Sequence, residues 1–466
     1  MCGVAAIVLR EPRTKISPER IVDTTIAITN RGQEAHGVSG IKHDKVVTRT
    51  RLGWIETTEE SSKIFKKIRS PTIFHTRYVT SSGNTEDNAQ PLKFHIPGKG
   101  NASIAHNGNL TNAHELLREE QGLEDGKRSD TWALGKLLAP CLREENWIDP
   151  LRETLGKVEG SYSFAVLVGG KDPMVIAARD PHGYMPLLYG ENKEGFYIAS
   201  ESVAFDRNCL DVPSYREVLP GELLVIKSTG TTNYQLLEPK EPAFCPLQIA
   251  YMCRPESKLG KHTVNDMRER LGAEIAKYYR PDVDIVVGIP DSGMAAAKGY
   301  AEATGLPFKM GLFRCRYRTA RSFMQGSQDE RTTTVNKKIN PIPEILKGNS
   351  VLLIDDSLIR GTTIRKQIAE VKIAGAKEVH VAVTFPPVIS GCRYGVDFSG
   401  DELIAKKIID EAKEKGKKMN PGKMNREIAK RIGAKSAYYL TLDSLANASG
   451  MPRNSLCPSC VTGEYY

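Results

Sequence analysis

Val351-Leu352-Leu353-Ile354-Asp355-Asp356-Ser357-Leu358-Ile359-Arg360-Gly361-Thr362-Thr363 decides how the second half of this 466-residue chain is read. Four apolar residues in a row describe a buried strand. Two adjacent carboxylates close its C-terminal end. A short turn with Arg360 and Gly361 follows. Thr362 and Thr363 then open a helix expected over Ile364 to Ala374. The free N–H groups and the positive dipole end of that helix suit a phosphate. Two carboxylates beside a phosphate would repel it unless they hold a sugar diol or a metal ion. The segment therefore points to a phosphorylated sugar, with Mg²⁺. An ordinary strand-to-helix turn is the plain alternative, but few such turns put two acids and Arg-Gly-Thr-Thr in one frame.

Outward from this segment, strand and helix alternate: Ile285 to Ile289, helix Gly293 to Thr304, Ser350 to Asp355, then Val379 to Thr384. That rhythm implies a doubly wound parallel sheet with ligands at the strand C-termini. The N-terminal half is different. It is rich in short strands, among them Cys2 to Leu9, Ser103 to His106, Ser161 to Val168, Met174 to Arg179, Gly195 to Ala199 and Glu222 to Ile226. Helices Pro18 to Thr29 and Asp130 to Leu142 intervene. Glu238-Pro239-Lys240-Glu241-Pro242 reads as a linker. The expected divisions are 2–237, 245–445 and a tail, 446–466.

Hydrophobic content of 40% and charged content of 26% are ordinary for a soluble globular protein. No apolar run approaches the ~20 residues of a membrane span, and no basic leader with a cleavage site is present. A cytoplasmic protein without membrane contact is expected. The net charge of +9 is modest for this length. Lys406-Lys407 and Lys415 to Lys418 read as solvated helix faces. No aromatic-interleaved basic stripe or zinc-finger spacing supports a nucleic-acid module.

The chain begins Met1-Cys2-Gly3-Val4. Removal of Met1 would leave a thiol nucleophile and a free amine on one residue, and the amine can serve as the local base. Alone, a Cys before an apolar strand is weak evidence. In order after it come Asn30-Arg31-Gly32-Gln33-Glu34, His75-Thr76-Arg77-Tyr78, Ala105-His106-Asn107-Gly108-Asn109-Leu110 and Ser129-Asp130-Thr131. Together these resemble the class II glutamine amidotransferases, which are N-terminal nucleophile enzymes with a four-layer α/β/β/α sandwich. The Asp355-Asp356 segment resembles the phosphoribosyl pyrophosphate (PRPP) motif of type I phosphoribosyltransferases. The two halves in one chain resemble the amidophosphoribosyltransferases, and the resemblance runs from Cys2 to the Gly463-Glu464-Tyr465 tail.

That resemblance implies roles residue by residue. Cys2 is the nucleophile. Asn107 and Gly108 match the oxyanion-hole pair, a side-chain amide and a backbone N–H. Arg77 matches the clamp on the glutamine α-carboxylate, for which a planar guanidinium is suited. Asp130 matches the acceptor of the α-amino group. Arg31 and Gly32 match residues that support Cys2 and glutamine. Asp291, Ser292 and Gly293 match the pyrophosphate loop, with Ser292 near Mg²⁺. Asp355 and Asp356 match the ribose and Mg²⁺ carboxylates. Arg360, Gly361, Thr362 and Thr363 match the 5′-phosphate loop, and Ser357 is a further PRPP-binding residue. The basic stretch from Arg314 to Phe323 resembles a loop that closes over PRPP, with Arg316, Arg321, Gln328, Arg331 and Lys338 as its contacts. Closure would exclude water from C1.

Nine cysteines is an odd count, against a disulfide framework. Cys457-Pro458-Ser459-Cys460 is a C-x-x-C pair. By resemblance to the iron–sulfur subgroup of the family, Cys245 before Tyr251-Met252-Cys253-Arg254-Pro255 and Cys392 after Pro386-Pro387 complete a ligand set. Four thiolates suit a [4Fe–4S] cluster or a structural zinc, and the resemblance favours iron–sulfur. Cys141, Cys209, Cys253 and Cys315 read as buried free thiols.

The expected reaction is glutamine hydrolysis at Cys2, with ammonia passed to C1 of PRPP to give 5-phosphoribosylamine, the opening of purine synthesis. Purine nucleotide feedback inhibitors and a homotetramer are implied by the same resemblance. Departures exist. Met185 in Arg179-Asp180-Pro181-His182-Gly183-Tyr184-Met185-Pro186-Leu187 replaces a family arginine, and Cys315 replaces an asparagine in the closing loop. A PRPP-binding regulator without turnover stands as the alternative, although it would not need the glutaminase residues. A sugar-phosphate aminating enzyme fails on the second half, where Asp355-Asp356-Ser357 would be unexplained.

Overall fold

In the computed structural model the residues described are 1–55, 68–78, 85–123, 125, 128–206, 209–315, 339–396, 398 and 400–466. They gather into two units. The first holds Met1–Cys245 with Arg393, Tyr394 and Gly395 from later in the chain. The second holds the remainder, from Pro246 to Cys392 and from Phe398 onward.

The first unit is built on two antiparallel sheets. Its strands are β1 (Gly3–Leu9), β2 (Ala35–Lys42), β3 (Lys45–Leu52), β4 (Arg69–Arg77), β5 (Leu92–Ile96), β6 (Gly100–Leu110), β7 (Gly160–Val168), β8 (Met174–Arg179), β9 (Leu188–Glu191), β10 (Gly195–Ala199), β11 (Ser214–Glu217), β12 (Glu222–Lys227) and β13 (Gly230–Gln235). One sheet runs β11-β9-β10-β1-β4-β2-β3 and the other β13-β12-β8-β7-β6-β5. Strand β1 explains the layering. Its even residues Val4, Ala6 and Val8 pack with Ala105, Ala165 and Leu167 between the sheets. Its odd residues Ala5, Ile7 and Leu9 pack beneath helix α1 (Pro18–Ala27). Both faces are therefore covered, and the strand reads as one apolar run rather than an alternation. The outer face of the second sheet packs Ile104, Phe164 and Val166 against α2 (Ala113–Gln121), α3 (Asp130–Arg143) and α4 (Ile148–Lys157). The result is the α/β/β/α sandwich.

Two expectations change here. Helix α1 stops at Ala27, short of Thr29, and a 3₁₀ turn over Thr29–Arg31 follows. Threonine hydroxyls bond back to carbonyls four residues earlier (Thr29 Oγ1 to Thr25 O, 2.7 Å), and the turn directs Arg31 inward. Residues 238–242 are also not a free linker. Lys240 N donates to Pro181 O at 3.0 Å, Ala243 N to His182 O at 2.9 Å and Cys245 N to Tyr184 O at 3.1 Å. These bonds stitch the segment to the first unit as far as Cys245.

The second unit has a parallel sheet, β14 (Ile285–Gly288), β15 (Ser350–Asp355), β16 (Glu378–Val383) and β17 (Ser436–Tyr439), in that order. Helices α5 (Val264–Tyr278) and α6 (Gly293–Thr304) pack together, with α6 on β14 and β15. Val351, Leu353, Val381, Val383 and Ala437 point the other way. There they meet α7 (Thr362–Ile373), α8 (Ile404–Glu414) and α9 (Pro421–Ile432). Helix α10 (Leu442–Ser449) spans the division expected at 445, so the tail continues from a helix of this unit.

Candidate active sites

The first site forms where β1 begins and β6 ends. Cys2 N donates to Asn107 Oδ1 at 2.9 Å. That bond fixes which end of the Asn107 amide faces Cys2. The other end, Nδ2, is buried and has no hydrogen-bond partner among the described residues. A buried amide donor without an acceptor is costly, and such a donor beside a nucleophile is placed to receive a developing oxyanion. Gly108 follows on the same strand with φ +157, where a Cβ would come within 2.1 Å of Ser161 O, so only glycine fits. The strand is longer than expected from sequence, and it carries Asn107 and Gly108 within its paired register rather than in a loop.

Arg31 lies under Cys2. Its Nε donates to Cys2 O at 2.9 Å, and its guanidinium pairs with Glu201 at 2.9 Å, both side chains fully buried. Asn30 Nδ2 reaches the same Glu201 oxygen at 2.7 Å. Gly32 ends the turn, its N–H on Thr29 O at 3.0 Å. Arg77, at the end of β4, is buried. Burial pulls its guanidinium below the usual range, and the charges of Cys2, Asp130 and Glu34 pull it back. Cys2 and Asp130 thus lie within electrostatic reach of Arg77. Asp130 starts α3 just after Ser129, whose hydroxyl caps the helix by accepting Trp132 N. Its carboxylate accepts Leu110 N at 3.0 Å and Thr131 N at 2.8 Å. It stays partly open to solvent and keeps lone pairs for a further donor.

A buried network behind these residues has no simple signature in the sequence. His106 Nδ1 meets Thr131 Oγ1 at 3.0 Å, Gln90 Nε2 donates to Thr131 Oγ1 at 3.1 Å, and His106 N donates to Gln90 Oε1 at 2.8 Å. Burial keeps His106 below its ordinary value. Burial likewise lowers His75 to about 3. Nor does the sequence announce Glu201, a lone acid after β10, or the return of Arg393, Tyr394 and Gly395 to this unit. Asn109 Nδ2 donates to Arg393 O at 2.8 Å, and Ser161 Oγ to Tyr394 O at 2.8 Å. Tyr394 stacks on Tyr184 with ring centroids 4.1 Å apart. Met185 is fully buried and its carbonyl accepts Ser163 Oγ at 3.2 Å.

The second site lies at the C-terminal ends of β14 to β16. Gly288 pairs with Ile354, and Ile289 N donates to Ile354 O at 2.9 Å. The loop Asp291-Ser292-Gly293 therefore lies beside the two aspartates, and Ser292 Oγ donates to Asp356 Oδ2. Ser357 Oγ donates to the other Asp356 oxygen, and Thr384 Oγ1 to Asp356 O at 3.0 Å. Burial raises Asp355 well above the usual carboxylate range, and the Asp356 charge adds to it. Burial raises Asp356 too, opposed by Ser292, Ser357 and the buried Arg268. Arg268, on α5, is another residue without a sequence signal. Two carboxylates and a hydroxyl form a hard-oxygen donor set, the chemistry Mg²⁺ takes. Gly361 (φ +77) makes the turn into α7, and Thr362 and Thr363 open the helix, exposed. Arg360 pairs with Glu402 at 2.6 Å. Asp291 pairs with Arg314 at 3.4 Å. Arg314 ends a short strand, Leu312–Arg314, paired antiparallel with Ile339–Pro341. Arg316, Arg321, Gln328, Arg331 and Lys338 lie outside the described residues.

Among the four cysteines read as cluster ligands, three belong to the second unit. There the tail meets the segment that carries Cys392: Ile389 N and Ser390 N donate to Cys460 O at 2.9 and 3.1 Å, and Tyr465 bonds Ser390 and Gly391. Cys245 belongs to the first unit. Among the described residues no group of three or more His, Cys, Asp or Glu is gathered to hold a metal ion. Cys141 and Cys253 are buried, as expected, but Cys209 and Cys315 are only half-buried.

Two family models match, a glutamine amidotransferase domain over residues 75–207 and a phosphoribosyl transferase domain over residues 263–399. The amidophosphoribosyltransferase of Methanocaldococcus jannaschii is 34% identical, over 100% of this chain and 97% of that protein. That of Bacillus subtilis is 33% identical, over 94% of this chain and 89% of its own length. Among solved structures, glutamine PRPP amidotransferase from B. subtilis complexed with ADP and GMP superposes with a TM-score of 0.84 at 30% identity, covering 100% of this chain and 97% of that one. A structure described as the allosteric regulatory enzyme of purine biosynthesis gives 0.85 at 30% identity, covering 100% and 96%. Both halves match in order and over the full length, and the chain belongs to the amidophosphoribosyltransferase family.

Proposed function

We propose that this chain transfers the amide nitrogen of glutamine to C1 of PRPP, giving 5-phosphoribosylamine, pyrophosphate and glutamate. The observation that carries the reading is the Asn107 amide, tied to Cys2 at one end and without an acceptor at the other. With Met1 removed, the Cys2 amine takes the thiol proton and the sulfur attacks the carboxamide carbon. Asn107 Nδ2 and Gly108 N–H receive the oxygen's negative charge. The Cys2 amine returns that proton to the amide nitrogen as the C–N bond breaks, ammonia leaves, and water releases glutamate from the thioester. Arg77 and Asp130 hold the α-carboxylate and α-amino groups meanwhile. In the second half-reaction ammonia attacks C1 and pyrophosphate departs. Asp355 and Asp356 take the ribose hydroxyls, and the α7 N-terminus with Arg360 to Thr363 takes the 5′-phosphate. Mg²⁺, held by oxygens of Ser292, Asp355 and Asp356, would neutralise charge on the departing pyrophosphate. The Asp291-Ser292-Gly293 loop cradles that group.

The distinctive test is nitrogen origin. Amide-¹⁵N glutamine is supplied together with ¹⁴N ammonium held below the level at which ammonium alone gives measurable product, and the product is analysed by mass. Product carrying ¹⁵N supports direct transfer. Product carrying ¹⁴N refutes it.

Further properties rest on the resemblance alone. A [4Fe–4S] cluster on Cys245, Cys392, Cys457 and Cys460 is the assignment we favour over zinc. Iron and acid-labile sulfide analysis of anaerobically purified protein checks it, and zinc without sulfide would reverse it. Purine nucleotides are the expected feedback inhibitors, since one solved relative was complexed with ADP and GMP. A cytoplasmic homotetramer completes the reading, to be weighed by light scattering. No helix among the described residues is long and apolar enough to cross a membrane.

A further inference from the structure

Tyr439 ends β17 in the same row across the sheet as Asp355. Asp355 pairs with Val383 on β16, and Val383 pairs with Tyr439 on β17. Residues two apart along a strand share a face. Asp355 therefore continues the row of Val351 and Leu353, and Tyr439 that of Ala437, on the side covered by α7, α8 and α9. Adjacent strands lie about 4.8 Å apart, so a tyrosine laid over Val383 reaches toward the aspartate. Tyr439 is 4% exposed. Its hydroxyl is buried without a hydrogen-bond partner among the described residues. Phenylalanine would fill the same core position with no orphaned donor. After burial itself, the Asp355 carboxylate is the group that raises the phenol's affinity for its proton. The other hydroxyls around the aspartates are engaged: Ser292 and Ser357 bond the Asp356 carboxylate and Thr384 its carbonyl. Asp355 has Asp356 N on Oδ1, at 2.9 Å.

We propose that Tyr439 is a positioning residue of the transferase site, its hydroxyl donating to the Asp355 carboxylate when PRPP is bound and holding it toward the ribose hydroxyls. This rests on the reading of Asp355 as the ribose acceptor. A carboxylate fixed by a buried donor presents its remaining lone pairs in one direction, which favours a diol over water. The effect falls on sugar binding.

The experiment uses the full chain with ammonia in place of glutamine, so the first site is not involved. Tyr439→Phe should raise KM for PRPP on the order of tenfold. Its kcat and its melting temperature should stay near those of the parent. Asp355→Asn should raise KM as well, and adding Tyr439→Phe to it should do nothing more. An unchanged KM in Tyr439→Phe, with Asp355→Asn impaired, overturns the inference. So does a Tyr439→Phe chain that melts several degrees lower, which would make the hydroxyl a stability element. An unimpaired Asp355→Asn would instead remove the reading of Asp355, and the inference with it.

Discussion

The peptide nitrogen of Cys2 donates to Asn107 Oδ1 at 2.9 Å, and this bond turns the Asn107 amide nitrogen into a buried donor with no acceptor among the described residues. On the proposed function, one side chain thereby anchors the nucleophile and offers a donor for the oxyanion. Asn107→Ala should lower kcat for glutamine hydrolysis by about 10²–10³. Activity with ammonia should persist. Glutaminase and ammonia-dependent assays on the same preparation check this.

Glu201 and Arg31 form a fully buried ion pair at 2.9 Å, and Arg31 holds the Cys2 carbonyl. Replacing the pair with apolar residues could be neutral, whereas removing one partner leaves an uncompensated charge. Glu201→Ala should therefore destabilise the first unit by about 3–5 kcal/mol. Urea unfolding followed by a probe in that unit measures the change, with Glu201→Gln expected to be milder.

Gly395 packs on the backbone of Gly108. A Cβ there would fall 2.9 Å from the Gly108 carbonyl carbon, at a φ of +103. Gly395→Ala should displace the strand that carries Gly108, the proposed oxyanion donor. A shift costing on the order of 1–3 kcal/mol lowers glutamine hydrolysis roughly tenfold or more. The loss should appear in kcat with glutamine and not in the ammonia reaction.

Burial holds His75 neutral down to about pH 3, while the unfolded chain takes up its proton near 6.5. The folded state binds fewer protons between those values, so stability is fully present above pH 6.5 and is lost as pH falls toward 3. The slope is about 1.4 kcal/mol per pH unit from this residue. Proton NMR should show no His75 titration between pH 5 and 8. A midpoint near 6 would contradict the burial account.

Local patterns disclosed some of this molecule and hid the rest. Met174–Arg179, Gly195–Ala199, Gly293–Thr304 and Ser350–Asp355 fall where apolar runs and turn residues put them. Strands β2 and β3 escaped, because Ala35–Lys42 and Lys45–Leu52 carry Gly, Ser, Thr, Lys and Arg in place of an apolar run. Strand β4 escaped because its buried residues include Ser, Thr, His and Arg. Candidate site residues were legible where they lie in short ordered motifs. Glu201, Gln90, Arg268 and Tyr439 were not, since each acquires its partner or its surroundings only across distant segments. The return of Tyr394 to the first unit is likewise a long-range contact that no local pattern encodes.

The most direct measurement is release of glutamate and pyrophosphate by purified protein given PRPP, Mg²⁺ and glutamine, with ammonia in a parallel reaction. The account predicts equal release of both products with glutamine. In Cys2→Ala that release should be lost with glutamine and retained with ammonia. PRPP binding without pyrophosphate release in either reaction would contradict the account and leave a regulator that binds PRPP without turnover.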